Sequence, residues 1–325
     1  MIKTRLSALA IPAAAVLCLL SQPAAAQSFP EKPIQWIVPS SAGGGADTVT
    51  RFVAAALPPI LGQRVVVDNR AGASGNIGAT VAAKAPPDGH TWLMIGNAHA
   101  ANVGLFSTLH YDLLKDFAPV TQVNASPHVV VVHPDLPAKT LAELVALAKT
   151  KPGKIDYASA GSGTVTFLAA EMFKDAAGID MTHVPYKGGG DSLRSIAAGE
   201  TSVYFSPLTV AIPLIQQGRV RALAVTGTER VPMLPDVPTA AEAGFPNYSF
   251  TLWNGLVVPA KTPNEVVTKI HDAVAKATTT PEAKEKMASI GYTVVASQPD
   301  AFAAFMKSEV EKLGALVRKL NLKVE

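Results

Sequence analysis

Ile34-Gln35-Trp36-Ile37-Val38-Pro39 runs straight into Ser40-Ser41-Ala42-Gly43-Gly44-Gly45-Ala46-Asp47, and an apolar-periodic segment then continues to Leu57. A β-branched run, a loop of glycines and small hydroxyls, and a run of helical period together spell strand, loop and helix. The device recurs at Ile155-Asp156-Tyr157-Ala158, then Ser159-Ala160-Gly161-Ser162-Gly163-Thr164, then a helical run to Phe173. Each copy leaves bare backbone N–H groups and small hydroxyls at a helix N-terminus, where the helix dipole favours an anion. The copies are far apart in the chain, so they can belong to different lobes and face one another. That pattern suggests a clamp for a small acid.

Working outward, short runs rich in β-branched residues lie at 65–68, 91–96, 129–132, 183–186, 202–206, 221–226 and 252–258. Helical patterns alternate with them at 76–85, 140–150, 164–177, 191–200 and 210–217. Thr140 with Glu143 three residues on makes a capping box, and Gly178, Gly199 and Gly218 are helix stops. Alternating strands and helices predict an α/β fold with mostly parallel sheets flanked by helices, and such sheets bind ligands beyond the carboxyl ends of their strands. The tail differs: 263–280, 281–291 and 299–320 read as helices opened by proline, a C-terminal helical layer packing back on the first lobe. Crossovers are expected at 124–127 and 250–254. They give a discontinuous first lobe (27–125 plus 254–325) and a second lobe (126–253).

The N-terminus carries Lys3 and Arg5, an apolar run from Leu6 to Leu20, and then Ala24-Ala25-Ala26. This is the order of a cleavable secretory signal, residues 1–26, with cleavage expected after Ala26 and export to the periplasm. The apolar run is shorter than the ~20 residues that span a bilayer. Cys18, the only cysteine, lies inside the signal, so the expected mature chain has no thiol and no disulfide. Its length, about 300 residues, is enough to bury two well-formed cores. Lys3 and Arg5 are two of 28 basic residues, and the remainder nearly balance the 25 acids. That balance argues against nucleic acid as a partner, and any anion site must be built locally from dipoles and a few side chains.

Catalytic and cofactor signatures are missing from the sequence. Tyr157-Ala158-Ser159-Ala160-Gly161 lacks the first glycine of a hydrolase nucleophile elbow. The glycine loops are not followed by the Gly-Lys-Ser/Thr of a phosphate-binding loop, and the seven histidines lack metal-ligand spacing. The expectation is therefore a binding protein without catalytic residues, metal or cofactor. A periplasmic serine hydrolase is the rival from another class.

The sequence also resembles a known family. Lys32-Pro33-Ile34, Gly43-Gly44-Gly45-Ala46-Asp47, Asp68-Asn69-Arg70-Ala71-Gly72-Ala73, Gly75-Asn76-Ile77-Gly78 and Pro87-Asp88-Gly89-His90-Thr91 follow one another in order. Beyond them come Lys115-Asp116-Phe117-Ala118-Pro119-Val120, Tyr157-Ala158-Ser159-Ala160-Gly161-Ser162-Gly163-Thr164, His183-Val184-Pro185-Tyr186-Lys187-Gly188 and Leu234-Pro235-Asp236-Val237-Pro238-Thr239. In this the chain is similar to the Bug family, the periplasmic receptors of tripartite tricarboxylate transporters. The resemblance implies a two-lobed, Venus-flytrap periplasmic-binding-protein fold that captures a carboxylate-bearing organic acid and hands it to inner-membrane permease subunits. A sensor that signals to a membrane histidine kinase is the alternative within the same class. A receptor that docks on a permease is expected to be monomeric.

The candidate binding residues follow from the residues and the resemblance together. In the first lobe they are Ser40, Ser41, Ala42, Gly43, Gly44 and Gly45, with Gly75 and Asn76 opening a second helix. In the second lobe they are Ser159, Ala160, Gly161, Ser162, Gly163 and Thr164. Tyr186 is a cleft candidate or a strand-end aromatic, and Trp253 covers the ligand or packs the hinge. Ser206 ends a strand near where family members often carry an acid that could meet an ammonium. Asp47 is expected to cap its own helix, Arg70 to form a structural ion pair, and Arg194 to be solvated. Thr166-Phe167, Asp191 and Ser40-Ser41 depart from the family pattern close to these loops, so no relative's ligand carries over.

Overall fold

β1 (Ile34–Val38) sits between β2 (Val65–Asn69) and β3 (Thr91–Gly96), parallel to both. This is the arrangement that helix crossovers impose on consecutive strands. These strands open a computed structural model that describes residues 29–322; the expected signal segment lies outside the described residues. β3 pairs antiparallel with β9 (Thr251–Pro259), and β9 with the first part of the long β4 (Phe117–Val132). A second sheet holds β5 (Asp156–Ser159) parallel to β6 (Thr182–Pro185) and β7 (Val203–Pro207). β7 and β8 (Arg221–Val225) both pair antiparallel with the end of β4. β4 thus belongs to both sheets: 117–127 runs along β9, and His128–Val132 runs along β7 and β8.

The fold is the α/β binding-protein architecture, with mixed rather than mostly parallel sheets. The consecutive strands fed by helices are parallel, as expected. Every pairing made by β4 or β9 is antiparallel, including the short β10 (Thr293–Val294) on β4. These are the strands that carry the chain from one sheet to the other, so they do not obey the helix-crossover rule.

The helices are α1 (Gly45–Ala56), α2 (Pro58–Leu61), α3 (Asn76–Ala83), α4 (Asn97–Leu105), α5 (Leu141–Thr150) and α6 (Val165–Ala177). They continue with α7 (Gly189–Ala197), α8 (Leu208–Gln216), α9 (Asn264–Thr278), α10 (Pro281–Ser289) and α11 (Pro299–Lys319). Among the described residues none is long and apolar enough to cross a membrane. Thr140 caps α5 by accepting the Glu143 N–H at 3.1 Å, while the Glu143 carboxylate turns to the Lys139 N–H at 2.6 Å. Gly178, Gly199 and Gly218 each take a left-handed φ beyond a helix end, the conformation that a side chain resists. One core cluster runs through both sheets, from Ile37 and Leu93 to Phe173 and Phe205, and α11 contributes Phe302, Met306 and Leu313 to it. The far end of α11 also reaches α6, where Lys319 Nζ lies 2.6 Å from Asp175 Oδ1.

His128 marks the point where β4 changes sheets. It is fully buried, its two ring nitrogens have no partner, and its ring meets Phe250 edge-on at 5.2 Å. Burial pushes its pKa down to about 3. His99 is likewise pushed down to about 4 by burial, against smaller opposing effects of the Gly96 and Gly75 backbone. Both are ordinary histidines, near 6.5, in the unfolded chain. Below that pH the unfolded chain takes up protons that the folded chain refuses, so acid favours unfolding. Stability should fall by roughly 1.4 kcal/mol per pH unit per histidine as pH drops from about 6.5 toward 4. Urea denaturation of the wild type and of His128→Gln between pH 7 and pH 5 checks this. The variant should show a shallower slope, less by about one histidine's share, and an unchanged slope would contradict the assignment.

Candidate functional site: the cleft between the two glycine loops

α1 begins at Gly44, whose extended backbone caps it without any side-chain hydrogen bond. α6 begins the same way at Thr164, whose hydroxyl is not spent on the helix and instead donates to the Gly161 carbonyl at 2.7 Å. The first-turn N–H groups of Gly45 and Ala46, and of Val165, therefore have no intrahelical acceptor. Ser40, Ser41, Gly44, Gly45, Gly163 and Thr164 line a single cleft of about 690 Å³, together with Gly75 from the start of α3 and Trp253 from β9. Two loops far apart in sequence thus open on one space, each with a helix dipole directed into it.

The other sequence candidates stand outside the lining, and each has a physical reason. The Gly43 N–H donates to Asp47 Oδ2 at 2.8 Å, and Ala42 is exposed on the outer side of the loop. The Asn76 side chain accepts from Asn102 Nδ2 at 2.8 Å and from the Tyr111 hydroxyl at 2.7 Å, which ties α3 to α4. The Ala160 N–H donates to Thr166 Oγ1 at 2.9 Å and the Gly161 N–H to Ser159 Oγ at 3.0 Å, so the inner part of the second loop consumes its own donors. Ser162 is exposed, and Tyr186 packs against the core of the second sheet. Ser206 is fully buried and its hydroxyl donates to the Pro207 carbonyl at 3.1 Å. Trp253 is buried too: its ring meets Phe302 and Phe305 edge-on and its indole N–H donates to Glu309 Oε2 at 3.0 Å. It is both a wall of the cleft and a packing residue.

Asp47 does not cap α1 as expected; it braces the loop ahead of the helix. It sits inside the first turn of α1 and reaches back to the Gly43 N–H, while accepting Arg51 Nε at 2.9 Å and Asn69 Nδ2 at 2.9 Å. Asn69 Nδ2 also reaches the Ser40 carbonyl at 3.1 Å, so this carboxylate braces the whole first loop from behind. Burial pushes its pKa up, but the bonds from Arg51, Gly43 and Asn69 outweigh that and hold it below the ordinary value. Its contribution to stability is present above the usual carboxylate range and is lost as pH falls through its folded pKa. Asp47→Ala removes the acceptor that ties the loop to α1, although Asn69 Nδ2 keeps the Ser40 carbonyl and Arg51 keeps Asn69 Oδ1, so it should cost about 1 kcal/mol in urea unfolding and weaken ligand binding. A variant as stable as wild type would contradict the brace. Arg70 pairs with Asp68 at 2.7 Å, the structural role expected, and the exposed Arg194 pairs with Asp191 on its own helix.

Several lining residues carry no sequence signal. Tyr292 follows α10 and places its hydroxyl where a side chain on Gly45 would have to go. His99 lines the floor beside Gly75; its Nδ1 accepts the Gly96 N–H at 3.2 Å. Thr209 and Val210 come from the first turn of α8, and Lys187 from the loop before α7. Only the glycine run after Lys187 hinted at its loop.

Ser159 Oγ lies 2.6 Å from His183 Nε2, an arrangement among the described residues that resembles a nucleophile and its base. Ser159 is fully buried and outside the cleft, and its oxygen already accepts the Gly161 N–H. Glu171 engages the Tyr157 hydroxyl at 2.5 Å and Lys174 Nζ at 2.9 Å rather than His183. The pair shapes the loop.

Residues 49–322 match the model of the tripartite tricarboxylate transporter family receptor. The chain belongs to this family. A protein encoded in the tcbD-tcbE intergenic region of Pseudomonas sp. strain P51 is 36% identical over 296 residues, covering 91% of this chain and 88% of that one. BugT of Bordetella pertussis is 32% identical over 308 residues, covering 94% of each. Among solved structures, R. palustris Rpa4515 with adipate superposes with a TM-score of 0.81 at 32% identity, over 91% of this chain and all of that one. MatC from Rhodopseudomonas palustris with bound malate gives a TM-score of 0.78 at 31% identity, over 89% of this chain and all of that one. As a member of the tricarboxylate transporter receptors, the protein is a periplasmic solute-binding protein. The Bug-type resemblance of the sequence is thereby established.

Proposed function

We propose that this receptor captures a small carboxylate-bearing organic acid in the cleft between its two glycine loops and delivers it to an inner-membrane permease. The observation that carries the reading is the cleft itself, into which two uncapped helix N-termini open. Preorganised N–H groups are what a carboxylate needs in a water-poor site. Relatives solved with adipate and with malate support an acid as ligand.

The lobes of the proposal are residues 27–125 plus 254–325, and residues 126–253, exported behind a signal cleaved after Ala26. The change of sheet within β4 supports the first crossover. The second is supported by the Phe250 N–H, which bonds the Thr226 carbonyl in the second lobe just before β9 enters the first. Closure about these two crossovers brings the α6 loop onto an acid docked at the α1 loop.

A thermal-shift screen of the refolded, ligand-free protein against small organic acids tests the reading. A ligand present at a hundred times its Kd adds about 2.7 kcal/mol to the folded state. A large shift with an acid is the expected result. A cooperatively folding sample that shifts with no acid in the panel would overturn the carboxylate reading.

A further inference from the structure

We propose that the cleft selects a carboxylic acid with an apolar body and no ammonium group, with Lys187 as the positive charge at its mouth. This rests on the carboxylate reading above and narrows it. Among the described residues that line the cleft, Lys187 is the only one with a charged side chain, and none is an aspartate or glutamate. Lys187 is exposed and has no ion-pair partner among the described residues.

Two carboxylates behind the walls are already committed. Asp47 accepts from Gly43, Arg51 and Asn69. Glu309 lies behind Trp253 and accepts its indole N–H at 3.0 Å and the Lys312 ammonium at 3.4 Å. Turning Asp47 to a ligand would break the three bonds that brace the loop, and turning Glu309 would strand the buried Trp253 indole N–H. His99 offers no anion in their place, because a histidine is neutral or positive. An ammonium brought into this space would lose its water and meet helix N-termini and a lysine of its own sign, an uncompensated charge.

The body of the ligand meets a different surface. Pro39, Val165, Pro207, Val210 and Leu252 present apolar surface in the lining, with the buried Met94, Ile95 and Trp253 beneath it. Methylenes or an aromatic ring gain from burial there, whereas a hydroxyl set against that surface loses its water.

Isothermal titration of the mature receptor with matched pairs reads both halves of the inference. The pairs are adipate against 2-aminoadipate, and 3-phenylpropionate against phenylalanine, with malate and citrate as hydroxylated acids of similar charge. The amine-free member of each pair should bind, its amino partner about 100-fold or more weaker, and the hydroxylated acids more weakly than adipate. Lys187→Met should weaken the amine-free acids about tenfold without changing the unfolding midpoint. Amino acids that bind as tightly as their partners would overturn the inference and leave the receptor reading standing. Tighter binding of malate or citrate would overturn the apolar body, and unchanged affinity in Lys187→Met would remove the role of that charge. Silence from every acid would withdraw the carboxylate reading and this inference with it.

Discussion

Gly45→Val lowers affinity for the cognate acid by about 100-fold or more, while the variant still folds. The expectation comes from two features of one position. Gly45 is the first residue of α1, and its N–H is among the bare donors of the first loop. A Cβ placed on it overlaps the Tyr292 hydroxyl. Tyr292 cannot swing away cheaply, because it is buried and packs in the core beneath the first sheet. The helix start or the ring must therefore shift, and either movement breaks the alignment of the donors. The damage is local, since the loop is exposed and α1 is held by Val49 and Val53 in the core. Titration of Gly45→Val beside Ala42→Ser, a change at an exposed loop residue outside the cleft, checks this. Full affinity in Gly45→Val would mean that the α1 loop does not hold the ligand.

Phe302→Ala should cost about 3–5 kcal/mol of unfolding free energy. Phe302 is fully buried on α11, and its ring occupies the space that a side chain on Gly255 of β9 would fill. It also meets Trp253 edge-on at 5.9 Å. Truncation leaves a cavity between the C-terminal helix and the strand that carries the chain back into the first sheet. Gly255→Ala attacks the same contact from the other side and should also destabilise, by overpacking. Urea unfolding reads both. A loss below about 1 kcal/mol for Phe302→Ala would show that the site collapses around the missing ring.

Much of this was legible in the sequence because local chemistry and global placement agreed. The strand-loop-helix at 34–57 and its counterpart at 155–173 lie where the periodicity puts them, as do the proline-opened helices of the tail. The start of β4 was not legible. Residues 117–126 contain Pro119, Thr121, Gln122, Asn124 and Ser126, which interrupt the β-branched pattern, so that pattern places a strand only from 129. They form a buried strand because the tail satisfies them. Thr121 Oγ1 donates to the Ser297 carbonyl at 2.8 Å, the Gln122 N–H to Ser297 Oγ at 2.9 Å, and Ser126 Oγ to the Gly291 carbonyl at 2.6 Å. Such partners are visible only once the chain is folded. α4 was missed for the same reason: its buried Asn97, His99 and Asn102 look like loop residues until their partners on β9, Gly96 and the start of α3 are in place.

The candidate site divides along a similar line. Uncapped helix starts are a property of local sequence, and Gly45 and Thr164 were accordingly found. Which loop N–H groups remain available depends on side chains that fold back on them, as Asp47 does on Gly43 and Thr166 on Ala160. The walls contributed by Tyr292, Thr209 and Lys187 are set by tertiary packing alone.

A crystal structure with the tightest-binding acid of the panel tests whether a carboxylate sits between the α1 and α6 loops. Carboxylate oxygens are expected within about 3 Å of the Gly45 or Ala46 N–H, with the loop of Gly163 and Thr164 closed over the ligand. An acid bound elsewhere, or one held in the cleft with its carboxylate turned away from both helix starts, would contradict that placement.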